Sequence, residues 1–243
     1  MEKKEYEKMY RYEDTYWWYV AKRNFIQTFL ASMRRLTRLT ILDVGCGTGR
    51  NMQLLANYGT VTGIDASKDA VRLSKKRQLK RVYLGNAEHI PYKATRFNLV
   101  TLFDVLYHRH IHSDNHVLRE CYRVLKRGGY VLITDCAFQQ FFAPHDELNQ
   151  TRHRYTKQEL VEKTTLAGFT VLRSSYIFFL SFPLFLVERL LTRYHVLSTH
   201  DTETVLPSWL NACLIGLEKF ENVLLRHMAL PVGSSILILA QKK

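Results

Sequence analysis

The stretch LTILDVGCGTGRN, residues 39–51, places three glycines, Gly45, Gly47 and Gly49, directly behind an apolar run. A buried strand that turns on glycines lets a ligand approach its backbone, because no Cβ intervenes and positive φ is tolerated. Elimination narrows the ligand. No Gly-Lys-Ser/Thr follows, so the turn is not a P-loop. A dinucleotide fingerprint calls for its third glycine at position 50, where pyrophosphate meets a helix N-terminus. That position is Arg50, and the third glycine comes one residue early. Asp65 ends the next apolar stretch, 20 residues beyond Gly45, and a carboxylate there accepts hydrogen bonds from both hydroxyls of a ribose. A glycine turn followed by a ribose-binding acid, with no pyrophosphate site, suits a nucleoside ligand.

Such residues need a scaffold that alternates strand and helix. Residues 1–36 read as helix, with Phe25, Ile26, Phe29, Leu30 and Met33 at helical spacing. Strand 39–44, a helix over 51–58, the strand TVTGID and the basic amphipathic helix KDAVRLSKKRQ follow. RVYLGN, ending at Asn86, and FNLVTLFDVL, closing near Asp104, read as strands. Ser113 and Asp114 cap a helix that Gly128 and Gly129 stop, and YVLITDC is the next strand. Thr156 and Glu159 form a T-x-x-E capping box for a helix ending at Gly168, before the strand FTVLRSSY. Helical spacing returns over 182–194 and 206–227, and SSILILA closes the chain as a strand. The alternation predicts a parallel sheet covered on both faces.

The length of 243 residues fits one α/β domain with an insertion, or at most two small domains. Thirty-five Lys and Arg against 22 Asp and Glu give a formal charge of +13. That charge indicates either an anionic partner or simply a basic, soluble surface. Four cysteines without a C-x-x-C pair favour reduced thiols and a cytoplasmic setting. The N-terminus has no apolar signal region, and the longest apolar run, residues 176–187, falls short of the ~18 residues of a membrane span. The expected location is cytoplasmic, with peripheral membrane contact as an option.

ILDVGCGTGR resembles the first motif of the class I S-adenosylmethionine-dependent methyltransferases. Further segments resemble that family in order: GIDAS its ribose-binding acidic loop, GNAEHIPY its adenine loop, FDVLYH its fourth-strand segment, and ECYRVLKRGGYVLI the helix and strand beyond. RHRYTKQELVEKTTLAGF resembles the next segment of the ubiquinone/menaquinone-type branch, and YWWYVAKR an N-terminal lid of small-molecule and sugar-modifying members. The series covers about residues 16–176. It implies an α/β, Rossmann-like, mostly parallel seven-stranded sheet with helices on both faces. The divisions it implies are a helical lid over 1–36, a cofactor-binding core over 37–176, a helical insertion over 177–232 and a final core strand over 233–243. The implied cofactor is S-adenosyl-L-methionine, leaving as S-adenosyl-L-homocysteine. Asp43, Gly45 and Gly47 would line its methionine end, Asp65 and Ala66 its ribose, and Asn86 and Ala87 its adenine. Position 86 is Asn where the family usually has Asp. Phe103 or Ile90 would flank the adenine or pack in the core. Tyr16 and Trp17 of the lid would meet the acceptor.

Methyl transfer from a sulfonium is an in-line displacement with an activated leaving group. The protein must position a nucleophile and, where needed, remove its proton. His108, just past the fourth strand, is the expected base, since an unperturbed imidazole pKa of about 6.5 suits that work. His153 and Tyr155, on the loop after the fifth strand, are further catalytic candidates, and Arg154 would orient an anionic or hydroxylated acceptor. His108, His110, His112 and His116 raise a metal question, but the resembled motif needs none and no metal is expected. DVLY, residues 104–107, lacks the paired prolines of enzymes that methylate nucleic-acid bases, and no basic cluster is interleaved with aromatics. Nucleic acid is therefore not the expected partner. The insertion, with FFLSFPLFLVERLL, reads as core, acceptor pocket, homodimer surface or membrane-facing patch.

The function expected is methyl transfer to a small-molecule or lipid- or sugar-linked acceptor, by O-methylation. The alternative is a non-catalytic nucleoside-fold module that binds nucleic acid or a partner protein through its basic surface. A nicotinamide oxidoreductase is disfavoured by Arg50.

Overall fold

Four of the six residues of Leu39–Val44 are aliphatic, the composition of a strand covered on both faces. In the computed structural model, which describes residues 3–33, 38–193 and 206–243, this segment is β1. The other strands are β2 (Gly59–Asp65), β3 (Val82–Leu84), β4 (Phe97–Phe103), β5 (Leu125–Cys136), β6 (Phe169–Ile177) and β7 (Ser235–Lys242). They form one seven-stranded sheet in the order β3-β2-β1-β4-β5-β7-β6, and β7 runs antiparallel to both its neighbours. The chain leaves β1 toward β2 and β3, then returns to β4 on the other side. That reversal opens a crevice at the carboxyl ends of the central strands, where open α/β sheets bind ligands.

The helices are α1 (Lys3–Tyr12), α2 (Trp17–Leu30), α3 (Arg50–Leu55), α4 (Lys68–Lys76), α5 (Asp114–Val124), α6 (Pro144–Leu148), α7 (Lys157–Leu166), α8 (Phe182–Arg193) and α9 (Ser208–His227). Three begin on hydroxyl caps: Ser67, Ser113 and Thr156 accept from the backbone N–H of Ala70, His116 and Glu159. The T-x-x-E box closes only halfway, because the Glu159 carboxylate accepts from His153 Nε2 at 2.9 Å instead of turning back to its cap.

Strand alternation divides the core into two layers. Ile236 and Ile238 of β7 face one side with Val100, Leu102, Val117 and Leu118, while Leu237 and Leu239 face the other with Phe25, Phe29, Leu99 and Leu225. All of these are buried, each worth roughly 1.5–3 kcal/mol of apolar transfer.

Two expectations change. Residues 1–36 are not one helix: the chain breaks between Tyr12 and Trp17, and residues 34–37 lie outside the described residues. The break has a cause. Glu13, 2% exposed, turns inward to accept from Thr48 Oγ1 and from Arg77 Nη2 at 2.8 Å. Asp14 pairs with Arg50 and Arg77, so Arg50 holds the N-terminal segment against the glycine turn. The second change is at Gly128 and Gly129. α5 already ends at Val124, and the glycines lie inside β5, where its register on β4 shifts.

The helices before the last strand buttress the N-terminal ones. α9 packs along α2, with Asn211 Oδ1 accepting from Trp17 N at 2.9 Å and Asn222 Oδ1 from Thr28 Oγ1 at 2.7 Å. The expected helix over 182–194 is α8, whose last described residue is Arg193. Among the described residues, no helix is long and apolar enough to cross a membrane.

Candidate functional site

The strand tips open onto a cavity of about 1920 Å³. Gly45 and Gly47, both on its wall, have φ of 70° and 53°. A Cβ on Gly45 would fall 2.5 Å from Val105 Cγ2, so packing within the protein demands glycine there. A Cβ on Gly47 would meet only the Met9 side chain, at 3.4 Å. Gly47 is the position whose bare backbone is left for a ligand.

Asp65, 7% exposed, ties β2 to this turn: Oδ2 accepts from Gly47 N at 2.9 Å and Oδ1 from Ser67 N at 2.8 Å. Each oxygen keeps a second lone pair, and the residue lines the cavity beside Ala66. Burial raises the Asp65 pKa, and the two N–H donors oppose that rise. Asp43 lies beneath the turn and is 1% exposed, off the cavity wall. Its Oδ1 accepts from Thr101 Oγ1 at 2.6 Å, while Oδ2 is buried without a partner. Burial pushes its carboxyl up to about 7.

Asn86 is exposed on the wall, and its Oδ1 accepts from Glu88 N at 2.9 Å. That local turn takes one lone pair of the carbonyl and leaves the other, with the NH₂ group, for a ligand. Ala87 and Phe103 are almost buried, at 8% and 7% exposed, and both line the cavity. Phe103 also belongs to the core layer of Phe29 and Leu99, so it serves both surfaces. Ile90 packs in the core only.

Past β4 the same cavity changes character. Asp104, with φ of 58°, follows the last residue of β4; its Oδ2 accepts from Lys22 Nζ at 2.6 Å and its Oδ1 from Thr134 Oγ1 at 3.3 Å. Lys22 is 4% exposed and sits 3.7 Å over the Trp18 ring. Trp18 stacks on Phe178, centroids 5.7 Å apart, and Trp17 meets the same ring edge-on at 5.8 Å. Tyr16, Trp17 and Trp18 line the cavity opposite the strand tips. His108 lines it too, but burial lowers its pKa to about 4, and its ring is hydrogen-bonded to backbone at Asn149 and Gln150. Nδ1 of that ring is buried without a partner.

Residues 42–133 match the methyltransferase domain family. Over 107 residues the chain is 36% identical to the mitochondrial ubiquinone biosynthesis O-methyltransferase of Candida albicans, a match covering 40% of this chain and 32% of that one. Over 103 residues it is 37% identical to the demethylmenaquinone methyltransferase of Oceanobacillus iheyensis, covering 38% of this chain and 42% of that one. An S-adenosylmethionine-dependent methyltransferase from Mesorhizobium loti shares the fold, with a TM-score of 0.59 at 13% identity over 87% of this chain and 94% of that one. Residues 42–133 thus carry a methyltransferase domain, and the sheet around it has the fold of the class I S-adenosylmethionine-dependent methyltransferases. The first curated relatives are matched over only 32% to 42% of their own lengths.

The cofactor of these methyltransferases fits the residues present. Asp65 offers a ribose diol its free lone pairs, and Leu84, Ala87, Phe103 and Ile111 form an apolar wall for a flat base. Asp43 Oδ2 is buried beneath the glycine turn and off the cavity wall, so Gly45 and Gly47, and not Asp43, present the turn to a ligand.

The segment after β5 departs from expectation. Tyr155 is fully buried, its one hydroxyl proton shared between Asp114 Oδ2 at 3.0 Å and Leu106 O at 3.2 Å. It is off the cavity wall, a core tyrosine rather than a catalytic one. His153 is also off the wall, held by Glu159 and 4.7 Å edge-on to the Tyr155 ring. Arg154, between them, does line the cavity. Sequence reasoning missed Lys22, Asp104 and Arg189. Asp104 carried the same signal as Asp65, an acid closing an apolar strand. Lys22 and Arg189 carried none, since a cation on a helix reads as solvated. Among the described residues, no three His, Cys, Asp or Glu side chains are grouped to hold a metal.

Proposed function

We propose that the protein transfers a methyl group from S-adenosylmethionine to an oxygen of a small-molecule acceptor. The observation that carries this reading is the continuity of one cavity from Asp65 at β2, past Asp104 at β4, to Arg154 beyond β5. The cofactor, when bound, supplies a methyl on a sulfonium already activated toward a nucleophile. The residues of the chain must then hold the acceptor close, exclude water and take its proton. Tyr16, Trp17 and Trp18 line the cavity, which supports reading the N-terminal segment as a lid.

We assign the proton to Asp104 rather than His108. Both of its oxygens are oriented, by Lys22 and Thr134, and the residue faces the cavity. The His108 ring is committed to backbone on one side and buried at Nδ1 on the other. It therefore stays neutral and shapes the wall. Exposed Leu184, Val187 and Leu190 on α8, beside a cavity open to solvent, give an apolar approach for a lipid-linked acceptor.

A screen with labelled methyl donor across sugar-nucleotide, quinone-like and lipid-linked acceptors tests the reading. With the acceptor so found, Asp104→Asn lowers kcat at least ~100-fold with S-adenosylhomocysteine affinity within about twofold, while His108→Asn costs less than about tenfold. A larger loss for His108→Asn than for Asp104→Asn would return the base to the histidine.

A further inference from the structure

At the far end of the cavity two guanidiniums face one ring. The Arg154 Cζ lies 5.6 Å and the Arg189 Cζ 4.9 Å from the centre of Phe185. All three residues line the cavity, and the two arginines are only 4% and 9% exposed. They differ in how their donors are used. Arg154 is engaged, Nε donating to Ala137 O at 2.9 Å and Nη1 to Asp146 Oδ1 at 2.6 Å. Arg189 is not: its Nε and Nη1 are buried and make no hydrogen bond.

The acids nearby leave that deficit in place. Asp146, 2% exposed, accepts from Arg154 on one oxygen and from Ala143 N at 3.0 Å on the other, and its Oδ2 is 3.6 Å from Arg189 Nη2. Glu188 Oε2 stands 3.7 Å from Arg189 Nε, beyond hydrogen-bond reach, on a side chain 40% exposed and so screened by water. Burial lowers the Arg189 pKa, and the Arg154 charge lowers it further against the opposing pull of Glu188 and Asp146. A buried guanidinium with two idle donor positions is a half-made site. Its planar fork matches the paired oxygens of a carboxylate or phosphate.

We infer that Arg189, backed by Arg154, forms a subsite for an oxyanion, a carboxylate or phosphate group, carried by the methyl acceptor. The place in the fold agrees. Arg154 lies on the strip that bridges to Ala137 just past β5, and β5 stands three strand positions from β2, roughly 14 Å at ~4.8 Å per strand. The subsite thus lies across β4 from the cofactor residues and can anchor an acceptor by its charged end while its nucleophile meets Asp104. The word acceptor rests on the methyltransferase reading; the oxyanion subsite does not.

The test is a thermal-melt titration of the whole protein with inorganic phosphate and, separately, with malonate, at ionic strength held constant with potassium chloride. Either anion, or both, raises the wild-type Tm saturably, and the arm that responds identifies the group. Arg189→Gln abolishes the shift and melts no lower than wild type without anion, because it removes a buried charge whose Nε and Nη1 donors make no hydrogen bond. Arg189→Lys keeps a response with at least tenfold weaker half-saturation, which preserves the test if the Gln variant does not fold. The inference is overturned if neither anion acts saturably on wild type, or if the variants respond as wild type does. Calorimetry with S-adenosylhomocysteine runs in parallel. Intact cofactor binding without an anion response removes the subsite alone; an anion response without cofactor binding removes the methyltransferase reading and leaves the subsite.

Discussion

At the scale of single residues, three neighbours on one extended strip show what sequence can and cannot place. His153, Arg154 and Tyr155 share a loop, and all three read as candidates for the pocket rim. Tyr155 bridges to Ala137 in parallel fashion, so the strip is extended, and consecutive side chains point to opposite sides. Arg154 faces the cavity, and its two neighbours face away together. Sequence shows such an alternation but not its phase, which depends on the partner strand. Tyr155→Phe should therefore leave methyl transfer intact and destabilise the protein. The hydroxyl bonds to Leu106 O and Asp114 Oδ2 are both buried, so about 1–2 kcal/mol is expected in denaturant unfolding. Lost activity in a variant of wild-type stability would restore a catalytic role. The glycine turn and Asp65 were legible because no other residue types satisfy that turn. The bond from Glu88 N that fixes the Asn86 carbonyl was not legible, since it depends on the local turn two residues on.

At the scale of elements, the central strands were legible nearly to the residue because a strand buried on both faces is a continuous apolar run. β1 coincides with its predicted 39–44. The break between α1 and α2 was hidden because the helical period continues through it, while Glu13 is drawn to Thr48 and Arg77, residues distant in sequence. α9 hides a similar long-range feature. Its Glu218 and Glu221 sit a turn apart with no exposed surface, where an amphipathic reading places solvated acids. Burial, then the neighbouring Glu221 carboxylate, pushes Glu218 from 4.5 up to about 8, and burial raises Glu221 as well. The native state therefore keeps a proton that the unfolded chain releases between about 4.5 and about 8. Stability falls as pH rises through that window and levels off above it. Glu218→Gln should raise Tm at pH 8 by roughly 2–4 °C and flatten the decline, while leaving the melt at pH 5 nearly unchanged. An unaltered pH profile would show that the pair does not carry the titration.

At the scale of the whole molecule, one sheet reversal collects residues from both ends of the chain around a single cavity. Asp65 and the glycine turn come from the first two strands, Asp104 from the fourth, Lys22 and Trp18 from α2, and Arg189 from the helices before the last strand. α9 braces α2 through Asn211 and Asn222, which joins helices from the two ends of the chain beside the cavity. That union was not legible, because it joins residues 194 positions apart. The excess of basic residues, which indicates either an anionic partner or a basic surface, has a buried representative in Arg189. All of this presupposes that the cavity at the carboxyl ends of β1 and β2 takes an adenosine bearing an amino-acid tail and no pyrophosphate. Calorimetric titration with S-adenosylhomocysteine, against NAD as control, measures that directly. One-to-one binding of the first and none of the second is expected, with Asp65→Ala at least ~10-fold weaker through the loss of two ribose hydrogen bonds. Binding of NAD, or an Asp65→Ala affinity equal to wild type, would contradict the account.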